Sequence, residues 1–384
     1  MSSLPRRWPL AVFAVVALPA IALACLWDYD TLKQERARFT DTLELITGKF
    51  LRHSKEFYEW RIQDRLKKLQ GDPKNLSCFD DLAVAYDKTG QHDKAIETML
   101  AKEKLQAGLY ETYANLGTFY FHSGKLEDGL PYIDMALAIN PDAHFGRERY
   151  QKWLVEWVKG PRPERNPEGD RIIDFADYVA MRMGQRSAYK FSTADRQSAV
   201  KGILGMMRFG QYDSPVLLEA LGDLLAGGGH PPPETDAKRL AAFAYLHASR
   251  ANRGWSSARK KAEQVIQFQT TDPPMPVDSK LEMLEHEFKH LLADAEAWYE
   301  NLHERELSWI KEGQDPEFEF DRLYIEEPRV TGEIGDPAYH SPEEAAVRRA
   351  VTIASICGIA LVLAVALCFV FRAKRRRSLS PTAD

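Results

Sequence analysis

The pattern of apolar and charged positions divides the chain into two apolar ends and a long charged middle. Residues 8–27 and 351–371 contain no Asp, Glu, Lys or Arg. Each segment has about 20 residues, the length that an α-helix needs to cross the hydrocarbon core of a membrane. Between them, apolar residues recur at three- and four-residue spacing, as in helices with one buried face. The pattern therefore predicts an all-α body flanked by two transmembrane helices.

Basic residues at both ends predict the orientation of these two segments. Arg6 and Arg7 precede the first, and five basic residues between positions 372 and 377 follow the second. Lys and Arg are enriched on the cytoplasmic side of transmembrane helices. We therefore expect residues 1–7 and 372–384 to be cytoplasmic tails of a two-span membrane protein, with the body in the extracytoplasmic or periplasmic space.

The first apolar segment has two alternative interpretations. Ala22-Leu23-Ala24 has the small-x-small pattern of a signal-peptidase site, and Cys25 follows at once, as in a lipoprotein signal. An uncleaved anchor, a cleaved signal and a lipoprotein all place the body outside the cytoplasm. Cleavage would leave the segment at 351–371 as the single span.

A spacing of 34 residues relates two segments in the first half of the body. Apolar, small and turn residues recur in register: Phe79 with Tyr113, Leu82 with Leu116, Ala83 with Gly117, Tyr86 with Tyr120, Gly90 with Gly124, Ala95 with Gly129, and Met99 with Ile133. The small residues allow two helices to approach closely. The glycine that recurs at the same position of both copies indicates a turn between the helices. The pattern predicts two stacked helical hairpins, at about 76–109 and 110–143.

These hairpins resemble the tetratricopeptide repeat. The match is Tyr113-x2-Leu116-Gly117-x2-Tyr120 followed by Gly129, Ile133, Ala136 and Pro141; the first copy departs from the family pattern at Lys102 and Ala107. The resemblance implies a right-handed helical solenoid whose first helices line a partner-binding groove. Carried over position by position, the partner-binding residues are Asp80, Asp81, Val84 and Asp87 in the first copy and Ala114, Asn115, Thr118 and Phe121 in the second. The three aspartates favour a basic or polar extended segment as the partner.

Proline- and glycine-rich breaks predict the remaining organisation. The predicted parts are a repeat domain at 28–160, a linker at 161–169, a second helical-repeat region at 170–270, a long helix at 279–311, and a juxtamembrane connector at 312–345 with a short strand at Phe318–Ile325. Residues 215–250 have a weaker resemblance to Sel-type helical repeats, with small residues on two helices around a Gly-rich turn.

The long helix carries a heptad seam of apolar residues. Its members are Leu281, Leu284, Phe288, Leu291, Ala295, Trp298 and Leu302. Such a seam packs along one neighbouring helix. We expect it to pack on the body of the same chain; the alternative is an oligomer formed through residues 279–311.

The same helix contains the sequence His286-Glu287-Phe288-Lys289-His290, which satisfies H-E-x-x-H. In zinc metalloproteases this motif supplies two histidine ligands and a glutamate base. Here no third ligand is marked, and both histidines lie on the side of the helix opposite the seam. We therefore expect a solvated surface at 286–290, with a zinc-dependent membrane hydrolase as the alternative.

Composition argues against several classes of function. The chain has 51 Lys and Arg against 56 Asp and Glu, a net charge of −5, which does not suggest nucleic-acid binding. Cys78 is the one cysteine outside the apolar segments, so no disulfide framework is expected. The sequence predicts no enzyme, cofactor or metal site. It predicts a membrane-tethered scaffold that binds protein partners, with a structural oligomerising subunit as a further alternative.

Overall fold

The computed structural model describes residues 26–28, 41–160, 174–185, 191–226, 237–251, 256–267 and 274–324. Within these ranges the chain forms fourteen α-helices and a 3-10 turn, and no strand. The all-α prediction is therefore confirmed for the described residues.

The helices follow one another with short connections. They are α1 Thr42–Thr47, α2 Lys55–Gly71, α3 Leu76–Lys88, α4 His92–Leu105, α5 Tyr110–His122, α6 Leu126–Ile139, α7 Arg147–Lys159, α8 Phe175–Arg182, α9 Thr193–Phe209, α10 Pro215–Ala226, α11 Ala237–Ala251, α12 Ser256–Gln267, α13 Val277–Lys311 and α14 Pro316–Leu323, with the 3-10 turn at Ala143–Gly146 before α7.

The helices α3 to α6 form the two hairpins that the 34-residue spacing predicts. Each helix packs against the next, from α2 through α6, and α3 also contacts α5. Gly90 and Gly124 occupy the turns with φ of 79° and 78°, a backbone conformation that side chains with a Cβ rarely adopt. The described chain is therefore a stack of antiparallel helices with the character of a solenoid.

Small residues set how closely the helices of each hairpin approach. Ala83 and Ala95 are fully buried in the first hairpin. In the second hairpin a Cβ added at Gly129 would lie 2.7 Å from the backbone oxygen of Gly117. The backbones of α5 and α6 therefore touch at a point that has no room for a side chain.

The largest hydrophobic core connects the hairpins to the second half of the body. It includes Phe121 and Ile133 from the hairpins together with residues of α7 to α13. Its aromatic members include Trp157, Phe175 and Phe243, and the Phe243 ring stacks on Phe288 at 5.0 Å. Residues 28–160 and 170–270, which the sequence divides into two regions, therefore share one core where they are described.

The seam of α13 packs on the chain itself. All seven seam residues, from Leu281 to Leu302, are 5 % exposed or less. The helix contacts α1, α2, α11, α12 and α14. The prediction that the seam packs on its own body is confirmed.

The predicted short strand at Phe318–Ile325 is wrong, because residues 316–323 form α14. The Asp315 side chain accepts hydrogen bonds from the backbone N–H groups of Glu317 and Phe318, and Pro316 occupies the first turn. An Asp-Pro start satisfies the free N–H groups of a helix and fixes φ at a helical value. These local signals outweigh the apolar-polar alternation at 318–320.

Among the described residues, no helix is both long and apolar enough to cross a membrane. The predicted tails, the linker at 161–169, the connector beyond residue 324, the span at 351–371 and residues 8–25 of the first apolar segment lie outside the described ranges. The last two residues of that first segment, Leu26 and Trp27, are described and pack against the body.

The contact between α5 and α6 predicts a large effect of a single methyl group. We expect Gly129→Ala to lower the free energy of unfolding by about 2 kcal/mol, because the new Cβ meets a backbone oxygen that can move only with its helix. Chemical denaturation of the purified protein measures this difference. Gly71→Ala is the matched control, since a Cβ there has nothing within 4 Å. Equal stability of the two variants would contradict the close approach.

Candidate functional site

The segment Leu26–Asp28 lies across the face formed by α3 and α5, which we call the groove. Leu26 is 1 % exposed and packs with Val84 and Leu116. Trp27 is half-buried, and its ring meets Tyr110 edge-on at 5.6 Å. The groove therefore already holds a short segment of this chain.

Asn115 holds this segment by its main chain. The backbone N–H of Trp27 donates to Asn115 Oδ1 at 2.8 Å, and Asn115 Nδ2 donates to the backbone oxygen of Trp27 at 3.0 Å. Asn115 is fully buried, so neither hydrogen bond competes freely with water. A side-chain amide that pairs with both backbone groups of one residue recognises an extended segment whatever its side chains.

A buried charge network holds the end of the segment. The Arg61 guanidinium of α2 donates to Asp28 at 3.2 Å and to Glu317 of α14 at 2.6 Å. Arg65, one turn along α2, donates to both oxygens of Glu317 at 2.7 Å and to Asp81 at 2.8 Å. The network joins the segment before α1, the helix α2 and the last described helix.

The three aspartates of the predicted partner site are each paired with a basic side chain of this chain. Lys102 Nζ donates to both Asp80 oxygens at 2.7 Å, Arg65 binds Asp81, and two histidines bind Asp87. All three are less than 8 % exposed. Each carboxylate that was expected to attract a basic partner segment therefore faces a basic side chain of this chain.

The other five predicted residues divide between the groove and the core. Val84 and Asn115 contact the segment at 26–28. Thr118 accepts a hydrogen bond from Gln151 at 3.1 Å, Ala114 packs beside Tyr110, and Phe121 belongs to the large core. Whether any of the eight residues contacts a partner stays a prediction.

Sequence reasoning missed the partners of these aspartates, although one signal was present. Lys102 stands where the repeat pattern prefers a small residue, so a buried acid on the neighbouring helix could have been sought. Arg61 and Arg65 carry a similar signal, because two arginines four residues apart share one face of α2.

A cavity of about 230 Å³ lies beside the segment, between α2, α3 and the end of α9. Five of its lining side chains are basic, namely Arg52, His53, Lys55, Lys88 and Arg208, and two are acidic, namely Asp28 and Asp213. Several of the basic groups have fixed partners. Lys88 Nζ donates to the backbone oxygens of Phe209 and Gly210 at 2.6 and 2.8 Å, and Arg52 lies 3.6 Å over the Tyr299 ring. The cavity is continuous with the groove through Leu26 and Asp28.

The two histidines of the H-E-x-x-H motif lie on the exposed face of α13. His286 and His290 are exposed, with their Nε2 atoms 3.3 Å apart. Glu287 forms an ion pair with Arg239. No third ligand group joins the two histidines among the residues that the structure describes.

The Asp80–Lys102 pair gives a prediction about stability. Burial raises the pKa of the Asp80 carboxyl to about 7, against the attraction of the Lys102 ammonium. We expect Asp80→Ala to lower the free energy of unfolding by about 3–5 kcal/mol, because it leaves a buried ammonium unpaired. The double variant Asp80→Leu/Lys102→Met should restore wild-type stability or exceed it, because it removes both desolvated charges. Urea unfolding of the wild type, Asp80→Ala, Asp80→Leu, Lys102→Met and the double variant measures both effects. If the losses of Asp80→Leu and Lys102→Met add up in the double variant, the two side chains do not pair.

The groove is where the described structure places two predicted site residues, Val84 and Asn115, against a peptide segment. No protein-family model matches this chain, and no curated protein matches it. The interpretation of the groove therefore rests on its own geometry.

Proposed function

We propose that this protein is a membrane-tethered adaptor of the tetratricopeptide-repeat type, whose groove on α3 and α5 binds extended protein segments outside the cytoplasm. One observation carries the proposal. The groove holds Leu26–Asp28 through the two hydrogen bonds between Asn115 and the backbone of Trp27. A partner segment can make the same two bonds, because they require only an extended main chain.

The segment in the groove indicates the side chains that a partner would carry. Leu26 fills an apolar site beside Val84 and Leu116, and Trp27 lies against Tyr110. Asp28 then meets the Arg61 guanidinium. We therefore propose an apolar and aromatic segment that ends in an acidic residue. This proposal replaces the basic or polar segment that the sequence favours. That expectation depended on the aspartates of α3, which are paired within the chain.

The two alternative functions have less support. A zinc-dependent hydrolase would need Glu287 as a free base, and this carboxylate is paired with Arg239. An oligomer through residues 279–311 would need the seam of α13, which is buried against this chain. Either alternative would require existing contacts to be broken first.

A photocrosslinker at Leu109, a half-buried residue beside Tyr110, tests the groove in the full-length protein in its own membrane. We expect crosslinks to a second polypeptide, and Leu26→Ser/Trp27→Ser should increase their yield because the chain's own segment no longer competes. Asn115→Asp should lower the yield roughly tenfold in both backgrounds. It keeps the side chain's shape and replaces the donor to the occupant's carbonyl by an acceptor, an unfavourable change of about 1–3 kcal/mol.

The matched control is Asn301→Asp, an exposed asparagine of α13 that hydrogen-bonds to Ala297 within its own helix. It should leave the crosslinks unchanged. Circular dichroism of the purified variants separates loss of binding from loss of fold. If folded Asn115→Asp protein forms the same crosslinks at the same yield, the groove is not the partner site.

A further inference from the structure

Three potential metal ligands meet at the end of the hairpins where the turns lie. Asp87 is near the end of α3, His92 begins α4, and His122 ends α5. Asp87 Oδ1 lies 2.7 Å from His92 Nδ1, and Asp87 Oδ2 lies 2.7 Å from His122 Nδ1. One ligand atom from each residue lies within 4.8 Å of the others. The turn at Gly90 folds His92 back onto Asp87, and the stacking of the two hairpins adds His122.

This cluster is buried, and a carboxylate is its centre. The side chains of Asp87, His122 and His92 are 2 %, 8 % and 29 % exposed. Lys88, the next residue, directs its ammonium to the backbone oxygens of Phe209 and Gly210. The two imidazoles carry a positive charge only when they are protonated, whereas metal binding uses their neutral form, in which they would not compensate the buried carboxylate. A bound cation would compensate it.

We propose that Asp87, His92 and His122 form a binding site for a divalent first-row transition metal ion, with Zn²⁺ the best match. Two imidazole nitrogens and one carboxylate oxygen are a common protein ligand set for zinc, which then keeps a further position for water. The set has too few oxygens for Ca²⁺ and no thiolate to favour Cu⁺.

The His122 ring has a second nitrogen that could bind an ion. His122 Nε2 is buried and has no hydrogen-bond partner among the described residues, so turning the ring forfeits no contact at that atom. The partly exposed His92 provides the path by which an ion enters. The bound ion would connect the turn of the first hairpin to the first helix of the second.

Metal titration of the full-length protein tests the site. The experiment uses His286→Ala/His290→Ala protein, because the exposed pair on α13 is itself a surface chelate. After chelator treatment, we expect this protein to bind one equivalent of Zn²⁺ in competition with a chromophoric chelator. It should also give the visible absorption of Co²⁺ in a site of low coordination number, and Zn²⁺ should raise its thermal unfolding temperature.

Variants of two of the three ligands locate the bound ion. His92→Gln changes a partly exposed side chain at a helix start, so the fold should be retained, whereas Asp87→Asn tests the buried carboxylate. Each should weaken Zn²⁺ binding by more than the ~10–100-fold that loss of an outer-shell partner causes. His303→Gln, a histidine of similar exposure that pairs with Glu56, is the matched control and should bind as before. Stoichiometric binding that disappears with His286 and His290, or that persists unchanged in folded His92→Gln protein, would overturn the proposal.

Discussion

The buried charge of Arg61 is the constraint on which the arrangement of the chain depends. This side chain is fully buried, and a guanidinium cannot lose its proton to escape the cost of burial. It must therefore meet carboxylates, and these are Asp28 and Glu317, which lie 33 and 256 residues away in the sequence. The segment at 26–28, the helix α2 and the helix α14 are thereby brought to one place. The Phe57 ring, 4.5 Å from the guanidinium, packs beneath this network.

The need of each buried charge for an oppositely charged partner also determines which groups the groove would offer to a partner segment. Because Asp80, Asp81 and Asp87 each have a basic neighbour within the chain, the face of α3 and α5 presents little free negative charge. What remains available is apolar surface and the amide of Asn115. In the function that we propose, such a surface would select a segment by its extended backbone and its apolar fit, with a charge contribution at the end that meets Arg61. Specificity for one partner would then depend on the side chains that take the places of Leu26, Trp27 and Asp28.

The parts of the fold that were predictable are those set by neighbours in sequence. The hairpins follow from helical periodicity, from small residues at the crossings and from glycine in the turns, all within one repeat. The ion pairs were only partly predictable. Lys102 departs from the repeat pattern and so indicates a buried acid nearby, but its partner Asp80 is 22 residues away, and His122 is 35 residues from Asp87. Nothing local marks which distant basic group meets a given acid. Asn115 shows the same division. Its repeat position predicts a residue of the groove, but nothing near it in sequence indicates its contact with Trp27, which is 88 residues away.

The groove and the proposed metal site share the same two helices, so their occupancies should be linked. Val84 and Asp87 lie one turn apart on α3, and Asn115 and His122 lie two turns apart on α5. A segment that contacts Val84 and Asn115 holds α3 against α5, and an ion bound by Asp87 and His122 holds the same two helices at their ends. Each ligand therefore favours the helix placement that the other requires. Linkage makes this effect reciprocal, so metal would strengthen segment binding by the same factor by which the segment strengthens metal binding.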